Sequence, residues 1–299
     1  ELVRLRNAMV FDTISAEHSD WTPGTAPLSF RQETARTSAY LQQITEDIEG
    51  DTPLQRLLNA AAVLNSQPRL GNPIQSDTAT TLQIIREQGV GYCADFTQVT
   101  NALAHALHIP VREWGMSFDG FGGYGHAFSE IWDGVQQQWI MLDLFNSFYP
   151  ADPVTQTPLS ALQFRERLLQ NPHNILIVRV SPAHFSFRDD EALFTYFSRG
   201  LNQFYLWWGN NSISYDKIPE INIARQVSPH AEQLTAIMTG HFPLIKALAF
   251  DSNSQQIKSM LQLKMVMWSI FWLELALAFL LLCCIIGTLW RRKRQPAAA

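Results

Sequence analysis

From Met265 to Trp290 the chain reads MVMWSIFWLELALAFLLLCCIIGTLW, with Glu274 its only charged residue. A bilayer core is crossed by about 20 apolar residues in helical form. The run is therefore predicted to be a membrane-spanning helix, and the residues before it must fold in water. Trp268, Phe271, Trp272 and Trp290 flank it, as expected of rings that prefer the membrane interface. Arg291, Arg292, Lys293 and Arg294 follow at once, against only Lys258 and Lys264 on the other side. That asymmetry predicts a cytoplasmic tail and a folded domain across the membrane from it. Glu274 is either an interfacial residue or a polar contact to a partner helix, since a carboxylate in lipid needs a partner. Cys283 and Cys284 read as apolar packing residues.

The chain has 299 residues, 46% of them hydrophobic, enough for one large domain or two small ones. A net charge of −5 does not favour nucleic-acid binding. With two of the three cysteines in the apolar run, Cys93 stands alone in the water-soluble part, which excludes a disulfide framework. Residue 1 is Glu and no signal-peptide pattern follows it. An exported domain needs a targeting element, so an upstream segment, a cleaved signal or a first membrane helix, is expected.

Periodicity and punctuation place the elements. Leu2 to Ile14 is a mixed apolar stretch, and WTPGTAP is a loop. Ser38 to Ile48 has helical spacing. Thr52 is an N-cap with Pro53 at the first helical position, and SQPRLGNP ends that helix. Gly89 and Gly91 interrupt the chain just before Cys93, after which Phe96, Val99, Leu103 and Leu107 mark one buried helix face. Val111 to Phe118 reads as a strand, DGFGGYG as a loop. Ala127 to Trp132 and Trp139 to Leu144 read as two strands. If Gly134-Val135 form a two-residue hairpin turn, His126 falls directly opposite Asp143 on one face. Further on, Leu159 to Leu169 and Ala231 to Phe250 look helical and Ile175 to Val180 extended. Phe185 to Trp208 is rich in aromatics that read chiefly as core. Asp251 to Gln256 reads as a polar hinge.

The chemistry centres on Cys93. A thiolate is the effective nucleophile. A helix N-terminus and an ion pair with His126 both favour it, and Asp143 would orient the imidazole. Asp95 reads as a cap of the helix start. The Cys93 N–H is a natural oxyanion donor, and Gln88 or Gln83 could add a side-chain amide. His105 and His108 share a helix face without a carboxylate or thiol cluster, so neither a metal nor a cofactor is expected.

These segments resemble the transglutaminase-like superfamily of papain-like thiol enzymes. GYCADF resembles its nucleophile motif, ALHIPVREW the segment after the nucleophile helix, HAFSEIW the histidine strand and WIMLD the aspartate strand. TLQIIREQGVGYC resembles the usual approach to the nucleophile. His108 stands where glycine is frequent and Phe128 where tryptophan is frequent. The resemblance covers about residues 52 to 150. It implies an α+β core, a nucleophile helix packed on an antiparallel sheet, with Cys93 as nucleophile, His126 as base and Asp143 as orienter. Such families include proteases, amidases, acyltransferases and inactive scaffolds.

The expected organisation is a flanking segment over 1–51, a transglutaminase-like core over 52–155, and a partly helical, aromatic-rich extension over 156–262. A transmembrane helix over 263–290 and a basic tail over 291–299 complete it. The expected function is a thiol enzyme anchored in a bacterial inner membrane, with its domain periplasmic or extracellular. It would act on amide bonds of an envelope peptide or protein, as peptidase, amidase or acyl transferase. The alternative is a non-catalytic scaffold of a cell-envelope assembly.

Overall fold

The computed structural model describes residues 2–64, 69–70, 73–180 and 186–294. Most of the SQPRLGNP segment, and Phe185, lie outside the described residues.

The fold is mixed α+β, built on a six-stranded sheet. In spatial order its strands are Phe11–Ile14, Ile245–Leu248, Phe204–Trp207, Val111–Ser117, Gly125–Asp133 and Gln138–Leu142. The first pair is parallel and every other pair antiparallel. Half of the sheet thus comes from the two ends of the folded region, on either side of the segment that carries the motifs.

Alternation along the strands sends side chains to two apolar layers. One face is covered by the helix Cys93–Ala106, whose Phe96, Val99 and Leu103 cluster with Ile131, Ile140 and Leu142. Helices Pro53–Ala61 and Thr78–Gln88 complete that layer. Thr52 caps the first through the Gln55 N–H (3.1 Å), as its sequence predicts. On the other face Trp114, Phe128, Met141 and Phe204 meet Phe164 of helix Ala161–Gln170 and Phe197 of helix Asp190–Ser198. That layer also encloses the Arg112–Glu130 ion pair (2.7 Å), with the guanidinium over the rings of Trp21, Trp114 and Trp139.

The C-terminal helix runs from Ser254 to Arg294, 41 residues. At 1.5 Å per residue it is about 60 Å long, roughly twice a hydrocarbon core. Its first turns therefore pack on the domain: Met260 is buried with Phe11 and Phe121. Lys264 donates to the Phe11 carbonyl (2.6 Å), and the Trp268 indole to that of Met9 (3.0 Å). The apolar part beyond is long and apolar enough to span a membrane, and it is not buried by the rest of the chain.

Three local expectations need correction. Ala231 to Phe250 is not one helix: helix Pro229–Met238 stops at Gly240 (φ 73°), Pro243 follows, and Ile245–Leu248 is a strand with neighbours on both sides. Its apolar run satisfies either period, and the open sheet position decides. The polar stretch from Asp251 is not a hinge, because the buried Asn253 side chain donates to the Leu248 and Asn202 carbonyls (2.8 and 2.6 Å). The turn after Asp133 spans residues 134–137, not two residues, as Asp133 pairs with Gln138. The Asp133 carboxylate accepts the Val135 and Gln136 N–H groups (2.8 and 3.2 Å), an Asx-type closure that the Gly-Val pair does not supply.

Candidate active site

Cys93 is the first residue of its helix and half-exposed. The approach is set by Gly89 (φ 65°), which ends the preceding helix, and Gly91 (φ 143°), both in backbone regions that side chains disfavour. Asp95 is held by backbone N–H groups. It is buried and accepts the N–H groups of Tyr92 (2.8 Å) and Ile74 (3.2 Å), so it fastens the approach to the helix. The Cys93 N–H lies in the first turn, where helical bonding provides no acceptor, and is free to meet a developing oxyanion.

His126 is the second residue of its strand. Gly125 before it is needed for space: a β-carbon there would collide with the Met116 carbonyl of the neighbouring strand. Asp143 lies one residue beyond its own strand, paired with Phe148 across a tight loop. The strand register is displaced by two residues from the expected one, since Ser129 pairs with Leu142. Asp143 is therefore diagonal to His126 rather than opposite. A two-residue shift preserves the face, which a one-residue shift would not. The imidazole Nε2–H bonds to Asp143 Oδ2 at 2.7 Å, and both side chains are buried.

Asn146, which the motifs do not mark, completes the group. Its amide donates to Asp143 Oδ2 (2.7 Å) and its N–H to Oδ1 (3.0 Å). The loop that reverses the chain after Asp143 thus also fixes the carboxylate. The only sequence signal was an asparagine three residues after the aspartate, a spacing common in turns.

Burial works against charge on His126, but the Asp143 carboxylate outweighs it, helped by a hydrogen bond with the Cys93 side chain. The imidazolium pKa is raised to about 10. With Nε2 committed to Asp143, Nδ1 is the atom left to face the thiol. This geometry can hold a proton on the imidazole beside a thiolate and deliver it to a leaving group.

Aromatic rings enclose the imidazole. Tyr196 and Phe197 meet it edge-on at 5.7 and 5.6 Å, and Phe145 and Phe128 lie at 6.1 and 6.2 Å. Phe128 fills the position where tryptophan is frequent in the resembled family. His108 adopts φ 57°, a left-handed conformation that accounts for the glycine frequent at its position. Tyr196 and Phe197 belong to the extension, so part of the 185–208 aromatic segment is site wall and part is core.

Gln88 is exposed at the end of helix Thr78–Gln88, and the exposed Gln83 bonds to Glu87 (2.9 Å). Neither is bonded to Cys93 or His126. His105 bonds to the Ala35 carbonyl (3.0 Å). Among the described residues no cluster of His, Cys, Asp or Glu is arranged to hold a metal ion.

Comparison with curated proteins and with solved structures gives no significant match. Residues 39–144 match the transglutaminase-like superfamily, a span that includes Cys93, His126 and Asp143 and ends just before Asn146. The match to the transglutaminase-like superfamily thus covers about a third of the chain, which extends on both sides of it and ends in a helix long and apolar enough to span a membrane.

Proposed function

We propose that the protein is a membrane-anchored thiol enzyme that cleaves or transfers acyl groups from amides. The observation that carries this reading is the buried His126–Asp143 bond, which leaves the second imidazole nitrogen to a half-exposed cysteine at a helix start. The Cys93 sulfur attacks the amide carbonyl carbon, with the Cys93 N–H facing the oxyanion. His126 gives its proton to the leaving nitrogen as the C–N bond breaks, and a thioester remains. Water or an amine then attacks the thioester, losing a proton to His126, and the thiolate is released. A water acceptor makes the protein a peptidase or amidase, an amine acceptor an acyl transferase.

The basic run Arg291–Arg294 after the span supports a cytoplasmic tail, hence a domain on the periplasmic or outer side of a bacterial inner membrane. An envelope peptide or protein is then the substrate class. Glu274, exposed on the span, fits a polar contact with another membrane helix.

The test is iodoacetamide labelling of Cys93 across pH, in a Cys283→Ala, Cys284→Ala background. His126→Ala should slow labelling sharply near neutral pH. A folded protein with an unchanged profile would instead fit a scaffold that has kept the fold. A membrane-impermeant thiol reagent tests topology on cells with a permeable outer membrane. Labelling only after inner-membrane lysis would overturn the outward orientation and the envelope substrate.

A further inference from the structure

The helix Asp190–Ser198 brings more than aromatic cover to the site. Tyr196, edge-on to His126, also meets Phe118 at 5.2 Å. Phe118 carries the Arg199 guanidinium on its ring at 4.5 Å, and Tyr124 lies beyond at 5.9 Å. Two ring contacts therefore connect Arg199 to the imidazole. The Tyr196 phenol shares its electrostatic surroundings: burial first, then Cys93, Asp143 and Tyr124, push its pKa up, and Arg199 opposes them. Arg199 and Tyr124 are both exposed.

Arg199 takes part in none of the ion pairs among the described residues. The nearby carboxylates are engaged elsewhere. Asp119 accepts from Ser117 Oγ (2.8 Å) and from the Gly122 and Tyr124 N–H groups (2.8 and 3.3 Å). Asp189 pairs with Arg188 and Asp190 with Arg179. A guanidinium stacked on an aromatic face is held in place with its edge N–H groups still free to donate, the geometry that suits a carboxylate.

We infer that Arg199, seated on Phe118 and Tyr124, recognises an anionic group of the acyl donor, so that the preferred donor is a peptide with a carboxylate beside the scissile amide. This rests on the reading of Cys93 as the nucleophile. Phe118 and Tyr124 lie within the residues that match the superfamily, whereas Arg199 lies beyond them.

The test uses two alkylating probes of equal shape, the amides of N-iodoacetyl-glutamate and N-iodoacetyl-glutamine. They are applied to the full-length protein in detergent micelles, in the Cys283→Ala, Cys284→Ala background. The rate ratio for Cys93 is measured against that of the denatured protein. The native protein should favour the glutamate probe by about fivefold, the upper end of an exposed ion pair, and lose the preference in high salt. Arg199→Gln should abolish the preference and Arg199→Lys retain part of it, with circular dichroism reporting the fold. Equal rates in the native protein, or a ratio unchanged in Arg199→Gln, would overturn the inference. Failure of the nucleophile reading is read separately, as neutral iodoacetamide labelling that does not respond to His126→Ala.

Discussion

Two buried ion pairs lie on one face of the same sheet, and they do different things. Glu130 and His126 are on one strand, both facing the aromatic layer. Glu130 bonds Arg112, the Trp114 indole and the Ala161 N–H, and Arg112 also donates to the Ser19 carbonyl (2.7 Å) beneath three tryptophans. That pair is enclosed, its groups turned toward one another and the backbone. His126 and Asp143 are equally buried, yet the imidazole also interacts with the half-buried Cys93 side chain. An enclosed pair holds a fold in register, whereas one that also meets a thiol can move a proton. Burial and bond length are nearly the same in both, so the distinction rests on what the remaining donor or acceptor faces.

Breaking the comparison at its open end should have the largest effect. Cys93→Ala should reduce turnover of an amide donor by at least about a thousandfold and leave the denaturant midpoint unchanged. Undiminished turnover would remove the mechanism. Asp143→Asn comes next, at about 10²–10⁴-fold in turnover, because the imidazole loses the carboxylate charge that stabilises its protonated form and an amide NH2 can favour the wrong tautomer. Labelling of Cys93 should fall less than turnover does. The enclosed pair should behave oppositely. Glu130→Ala strands a buried guanidinium and should cost about 3–5 kcal/mol of stability by urea unfolding. In the fraction that stays folded, the pH profile of Cys93 labelling should be unchanged, and a shifted profile would mean the two pairs are coupled.

Asn146→Ala sharpens the contrast with a smaller loss, about 10- to 100-fold in turnover, as one charge-assisted hydrogen bond to Asp143 disappears. A similar loss in the thermal midpoint with turnover intact would make Asn146 a purely structural residue. The smallest effect is a pH dependence. His126 titrates near 6.5 when unfolded and is raised to about 10 in the fold. Its imidazolium therefore stabilises the protein fully below pH 6.5, and that stability is lost as pH rises toward 10. The difference in urea midpoint between native protein and His126→Gln should shrink across that window.

The site was legible in parts, for a physical reason. A cysteine at a helix start, and a histidine and an aspartate on or just beyond adjacent strands, are local patterns, because helix caps and strand periods are written in neighbouring residues. The expected pairing of His126 with Asp143 missed the register by two residues but kept the face, since side-chain direction repeats every two residues along a strand. The loop chemistry of Asp133 and the carboxylate grip of Asn146 depend on where a turn closes, which short polar stretches specify weakly. Ile245–Leu248 read as helix because a short apolar run fits either period.

By itself, then, the sequence determined a helix long and apolar enough to span a membrane, through its unbroken apolar length, and the candidate site residues, through short-range patterns around each. Only the tertiary structure decided what surrounds them. Strands from the two ends of the folded region complete the sheet, and a helix far along the chain brings Tyr196 and Phe197 against the imidazole and Arg199 onto Phe118. Those contacts join residues distant in sequence, and they form because apolar side chains bury wherever a complementary face is open, a choice set by the whole packed core and not by any one segment.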